Sequence, residues 1–289
     1  MIRIGTASWA DPEFVRDWYP AKLPAAKRLP WYAEHLNYVE VNSSFYAIPA
    51  AKSVRGWAEN TPEGFLFDVK LHRLFSHHMA RSDTLPKDLR PLASVNPRGN
   101  VIPTPELILA MAERTCEELH PLRAAGKLGV LLLQLSPSFS PHKAQLESLD
   151  TLLGAFPSFK VAVELRNRNW MEEGQKAKTV RFFTSRKIPM VLVDTPESGH
   201  FTVMPALNII TDPETAYLRL HGRDEEFYLT GKTVAERFNY LYSEDELQGI
   251  AERVKGLAAR AGEVRVAFNN NHSDYAPKAA MRLREILQA

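Results

Sequence analysis

The chain has a single cysteine, Cys116, in 289 residues. One thiol excludes an intramolecular disulfide and any cysteine metal cluster, and it fits a reducing compartment. Leu109, Ala112 and Leu119 share its helical stripe, so it reads as a packing residue. An excess of one charge is also missing: 36 Lys and Arg face 34 Asp and Glu, a formal net charge of +2. That balance argues against a surface that coats nucleic acid or a polybasic membrane face, so any basic site must be local. No apolar stretch approaches the length that spans a bilayer, and the start MIRIGTASW carries no charged leader ahead of an apolar run. The expectation is a cytoplasmic protein without a membrane partner. Short metal motifs of the HxH or HExxH type are absent as well.

What is present is a repeated β then α pattern. Strand-like runs start at Ile2 (IRIGTASW), Tyr38 (YVEVNSSFY), Phe65 (FLFDVKLH), Gly129 (GVLLLQLS), Lys160 (KVAVELRN), Pro189 (PMVLVDTP), Ala216 (AYLRLHGR) and Glu263 (EVRVAFNN). Helical patterns separate most of them, from Pro105, His142 and Ser243, with a last helix from Tyr275. Ser243 followed by Glu246 has capping-box spacing. With 45% hydrophobic residues the chain can bury a large core. Eight such units predict a TIM-type (β/α)₈ barrel, one domain over residues 1–289. Three irregular pieces follow strand ends, where barrel enzymes build their sites: a long proline-rich loop after strand three (Arg73 to Pro105), one from Pro196, and one from Asp224.

Alternation along the strands then sorts side chains to two faces, and a closed barrel has one inside. The stretch VAVELRNRNW sets Val161, Val163 and Leu165 against Glu164 and Arg166. The same grammar puts Glu40, Asn42 and Ser44 inward on strand two, Asp68, Lys70 and His72 on strand three, and Gln134 and Ser136 on strand four. It continues with Asp194 on strand six, Tyr217, Arg219 and His221 on strand seven, and Ala267 with Asn269 on strand eight. Charges gathered in one mouth must pair, hold a metal or receive a charged ligand.

VEVNSSFYAIP, LGVLLLQLSPSF, VAVELRNRNW, VDTP, AYLRLHGR, RFNYLYSEDEL and VAFNNNHSDYAPKAAMRL together resemble the YecE-like family, domain of unknown function 72, in order along nearly the whole chain. The resemblance implies a TIM-type barrel and a shared site at Glu40, Asn42, Lys70, Gln134, Glu164, Arg166, Asp194, Arg219, His221 and Asn269. It does not supply an activity.

The chemistry expected from these residues is acid and base work at Glu40 and Glu164, with Asp194 or His221 as a second proton carrier. The ligand is expected to be small and polar or phosphorylated, held by Asn42, Lys70, Gln134, Arg166, Arg219, Asn269 and Asn270. Anion binding is expected from Arg219, His221, the Asn269 to Asn271 run and the start of the last helix. The alternatives are a divalent-metal phosphodiesterase or other hydrolase, a sugar-isomerase-like enzyme using Glu40, Glu164, Asp194 and His221 as ligands, and a non-catalytic nucleotide or nucleic-acid binding module clamped by the Arg73 to Pro105 loop. No cofactor and no metal ligand is assigned. Lys70, Arg166 and Arg219 could neutralise the carboxylates without an ion.

Overall fold

The computed structural model describes residues 1–288. Eight parallel strands make up the barrel: β1 (Ile2–Thr6), β2 (Tyr38–Val41), β3 (Leu66–Lys70), β4 (Leu128–Gln134), β5 (Val161–Glu164), β6 (Leu192–Asp194), β7 (Thr215–Leu220) and β8 (Glu263–Phe268). Strands β1 to β5 pair in order, β8 pairs with β1 and with β7, and β7 pairs with β6. The ring closes between β5 and β6, where the Val163 amide donates to Pro189 O and the Val191 amide to Val163 O, both at 2.9 Å. Helices α1 (Pro12–Asp17), α2 (Ala25–His35), α3 (Ala51–Glu59), α4 (Pro105–Ala124), α5 (Leu149–Gly154), α6 (Lys176–Ser185), α7 (Glu225–Thr230), α8 (Val234–Arg237), α9 (Glu244–Ala258) and α10 (Tyr275–Gln288) complete the fold. It is a TIM-type α/β barrel.

The apolar side chains of the strands and the inner faces of the helices form one core cluster, from Ile4 through Val41, Leu133 and Leu220 to Leu283. Burying it supplies the main drive for closure, at roughly 25 cal/mol per Å² of apolar surface. The capping box expected at Ser243 is present, with Ser243 Oγ accepting from the Glu246 amide and the Glu246 carboxylate accepting from the Ser243 amide. The helix expected from His142 is shorter. Residues 140–144 form a hydrogen-bonded turn on Ser140 O, Gln145 is extended, and α5 starts only at Leu149. The long loop after β3 holds short 3₁₀ turns and a two-stranded hairpin, Ser94–Val95 with Val101–Ile102. No helix covers residues 195–214, as the irregular sequence from Pro196 suggests.

Register fixes the faces. Paired residues on neighbouring strands point the same way, so Glu40 shares a face with Asp68, Gln134 with Glu164, and Ala267 with Arg219. All of these point inward, as alternation predicts. Strand β6 departs from that expectation. Val193 pairs with Arg219 and Asp194 with Leu220, so Val193 faces the barrel interior and Asp194 faces the helices. Both sides of β6 are apolar until Asp194, and its phase could not be read from alternation alone.

Candidate functional site

The inward residues form two hydrogen-bonded tiers where a barrel usually stacks branched aliphatic side chains. The deeper tier joins four strands. Asp68 accepts from Arg265 Nη1 at 2.5 Å, from the Val130 amide at 2.7 Å and from Tyr38 Oη at 2.8 Å. Tyr38 Oη lies 2.8 Å from Tyr217 Oη, which donates to Glu40 at 2.7 Å and so links this tier to the one above. Gly129 leaves room for the pair: a Cβ there would lie 2.0 Å from Asp68 Oδ1.

Arg219 organises the upper tier. Glu40, Glu164 and Arg219 are all 0% exposed. Arg219 grips Glu40 with two hydrogen bonds, Nε to Oε2 at 2.8 Å and Nη2 to Oε1 at 2.7 Å. Its Nη1 donates to Glu164 and, at 3.1 Å, to Gln134, while Nη2 reaches Asn269 at 3.4 Å. All five guanidinium N–H groups are thereby used, which a lysine could not reproduce. The other Glu164 oxygen accepts from Arg166 Nη1 at 2.9 Å and lies 3.3 Å from His221 Nε2. Since the Asn269 amide meets His221 Nδ1 at 3.0 Å, the ring proton belongs on Nε2, toward Glu164. Burial pushes His221 down to about 4 against the pull of Glu164, so the ring is neutral at physiological pH. Burial alone would raise the Glu164 carboxyl, but Arg219, His221 and Arg166 hold it well below the ordinary value.

Lys70 stands apart from this lattice. The residue is half-buried at the end of β3, its Nζ lies 4.5 Å from the centre of the Phe45 ring, and it donates to Gln134 Oε1 at 3.0 Å, the same oxygen that Arg219 uses. Among the described residues no carboxylate oxygen comes within 4.0 Å of it. Burial and the neighbouring Arg219 charge push the amine down to about 7.

The structure therefore brings together Glu40, Asn42, Lys70, Gln134, Glu164, Arg166, Arg219, His221 and Asn269. Asn42 donates to Ala7 O at 3.2 Å and toward Asn269 at 3.4 Å. Two expected members lie elsewhere. Asp194, on the outer side of β6, is held by Arg223 at 2.8 and 2.9 Å and by Tyr242 Oη at 3.0 Å. Asn270 is buried and donates to Tyr240 O at 2.9 Å, a loop-fixing role. The start of α10 is occupied as well: the Ser273 amide meets Glu13 at 3.2 Å and Ser273 Oγ meets Asp17 at 2.8 Å, so the protein's own carboxylates stand where an anion was expected.

Residues missed in the sequence include Arg265, which shares the phase of Ala267 and could have been found by it, and Tyr228, on a helix after β7. Tyr228 Oη accepts from Arg166 Nη2 at 2.8 Å, and Phe238 lies over His221 with ring centres 5.5 Å apart. A cavity of about 210 Å³ opens beside them, lined by Pro137, Arg166, His200, Tyr228, Arg237 and Phe238 among others, with no carboxylate in its wall. A larger and mostly apolar cavity, about 520 Å³, lies off the barrel axis between the loop after β3 and α4, with His78 in its wall.

Among the described residues no group of three or more His, Cys, Asp or Glu side chains is placed to hold a metal ion. The physical reason at this site is Arg219, whose guanidinium occupies the space between Glu40 and Glu164. No helix is long and apolar enough to cross a membrane among the described residues. In the loop expected to clamp nucleic acid, Arg90 donates to Leu85 O and Asp83 O and Arg73 lies over Phe45 and Tyr46, so these cations are engaged within the protein.

Comparison with known proteins agrees with this architecture. The UPF0759 protein YunF of Bacillus subtilis is 28% identical over 291 residues, covering 99% of this chain and 95% of that protein. The UPF0759 protein YecE of Escherichia coli is 27% identical over 197 residues, covering 68% of this chain and 60% of that protein. The crystal structure of a DUF72 family protein from Thermotoga maritima matches with a TM-score of 0.80 at 26% identity and covers all of both chains. One from Enterococcus faecalis gives 0.78 at 25% identity, covering 100% of this chain and 96% of that one. A family model described as protein of unknown function DUF72 matches residues 3–289, and the chain belongs to that family.

Proposed function

We propose that the protein is an enzyme for a small polar ligand carrying a negative charge, bound at the C-terminal mouth of the barrel. In this reading Lys70 moves the proton, and Glu40, Glu164 and Arg219 form a fixed frame. The observation that carries the reading is a charge balance. The upper tier holds two carboxylates, Glu40 and Glu164, and two guanidiniums, Arg219 and Arg166, mutually paired. Lys70 is the surplus group, half-buried and poised near neutrality. A general base works best when its pKa lies near the working pH, and a desolvated lysine meets that condition. Glu40 and Glu164 are less suited to the role, because each is fully buried and gripped by Arg219.

Arg166 supports the anionic part. It retains N–H groups beyond its bonds to Glu164 and Tyr228, and it lines the small cavity with Arg237 and His200. An anion arriving there would also favour the ammonium form of Lys70, so that binding and protonation are coupled. Titration of the protein with sulfate, an anion whose charge is the same at both values, followed by calorimetry at pH 6 and pH 8, tests the reading. Binding that tightens at the lower pH and weakens at least about tenfold in Arg166→Gln is expected. Binding that ignores both changes would sink it.

A further inference from the structure

We infer that Lys70 is a nucleophile that forms an imine with a small carbonyl compound carrying an anionic group, a 2-oxo acid being the simplest case. The inference deepens the reading above and rests on its assignment of Lys70 as an amine that can shed its proton. The geometry comes first. The amine sits at the C-terminal end of a barrel strand, the end at which barrel enzymes carry their chemistry. One face of it is covered by the Phe45 ring and one hydrogen is held by Gln134 Oε1, an acceptor shared with a guanidinium. A lysine that is desolvated and set beside another cation is the arrangement that makes an amine nucleophilic near neutral pH.

The charged groups around it are Glu40 from β2, Glu164 from β5, Arg166 from the segment just after β5 and Arg219 from β7, with His78 and Arg73 from the loop after β3. The carboxylates are tied to guanidiniums, so neither is drawn into an ion pair with the amine. An anionic substituent on the carbonyl compound would find Arg166 nearby, a cation close enough for its charge to act on Lys70 and one that also lines the small cavity.

The step balances without an oxidant or reductant. The nitrogen lone pair attacks the carbonyl carbon and the C=O π pair moves to oxygen. Proton transfer from nitrogen to oxygen gives the carbinolamine, and loss of water leaves a carbon–nitrogen double bond. Protonated on nitrogen, that bond withdraws electrons from the neighbouring carbon, which is how such an adduct promotes proton removal or carbon–carbon cleavage beside it.

The test uses the full chain with glyoxylate and cyanoborohydride at pH 7, where reduction fixes any imine as a carboxymethyl group that peptide mass spectrometry can locate. An ordinary lysine is free amine to roughly one part in 2,500 at that pH, whereas burial and the Arg219 charge give Lys70 a far larger free-amine fraction. Lys70 is therefore expected to be labelled at least about tenfold faster than the exposed Lys52, Lys87 and Lys178, with the adduct absent in Lys70→Arg. In parallel, arylation of Lys70 by fluorodinitrobenzene across pH measures its free-amine fraction independently of any carbonyl. Arylation with a midpoint near pH 7 but no selective glyoxylate adduct would overturn the imine and leave the proposed function standing. A midpoint at the ordinary lysine value would overturn both.

Discussion

At the scale of single residues, Arg219 decides how the barrel interior tolerates its charges. Two carboxylates removed from water cost several kcal/mol each unless paired and hydrogen-bonded, and one guanidinium satisfies both here. Replacing it with an apolar side chain strands both. Arg219→Met is expected to lower unfolding stability by about 3–5 kcal/mol, read from urea denaturation followed by circular dichroism. His221 sets a pH dependence. Its folded-state pKa is about 4 against an ordinary 6.5, so between these values the unfolded chain binds the extra proton. Stability from this group is complete above pH 6.5 and is lost as pH falls toward 4. Glu164, held below its ordinary value, adds a loss of the same sign in acid. Denaturation midpoints measured from pH 4 to pH 7 should therefore rise with pH, and the rise should flatten in His221→Asn.

Among the elements, strand β4 shows a constraint that neighbouring strands impose. Its pairing with β3 shifts register between Phe67 and Val69, and Gly129 lies beside the buried Asp68 and Arg265. A methyl group at Gly129 would come within 2.3 Å of Arg265 Nη1 as well as 2.0 Å of Asp68 Oδ1. Because Asp68 is fixed by three hydrogen bonds it cannot move aside freely. Gly129→Ala should destabilise by about 1–3 kcal/mol by overpacking, although alanine suits regular structure better than glycine. A thermal melt that shows no loss would contradict this account. The elements also differ in how legible they were. The capping box of α9 was written in Ser243 and Glu246, since a cap is a local matter of side chain and backbone. The phase of β6 was not, because Val191, Leu192 and Val193 suit either face and only pairing with β5 and β7 selects one.

For the whole molecule, barrel closure is uneven. Strands β7 and β8 pair along six residues, whereas β5 and β6 meet around Val163 alone. Local opening should begin where the fewest hydrogen bonds must break. Native-state hydrogen exchange is expected to find the Val163 and Val191 amides less protected than those of Val266 and Phe268. Equal protection at the two places would mean that the barrel opens only as a unit.

The repeated β then α pattern was enough to predict the barrel, and alternation of polar and apolar residues most of its inner wall, because strand periodicity carries the facing of a side chain in local sequence. Glu40, Lys70, Gln134, Glu164, Arg166, Arg219 and His221 could be named for that reason. Which of them pair was decided only in three dimensions. Glu40, Glu164 and Arg219 come from β2, from β5 and from β7, and no local pattern says that one guanidinium lies between the two carboxylates. The same holds for Lys70, whose surroundings are built by Phe45, Gln134 and Arg219 from three separate parts of the chain. Its chemistry depends on desolvation and neighbouring charge, which are properties of the closed barrel and exist nowhere along the unfolded chain.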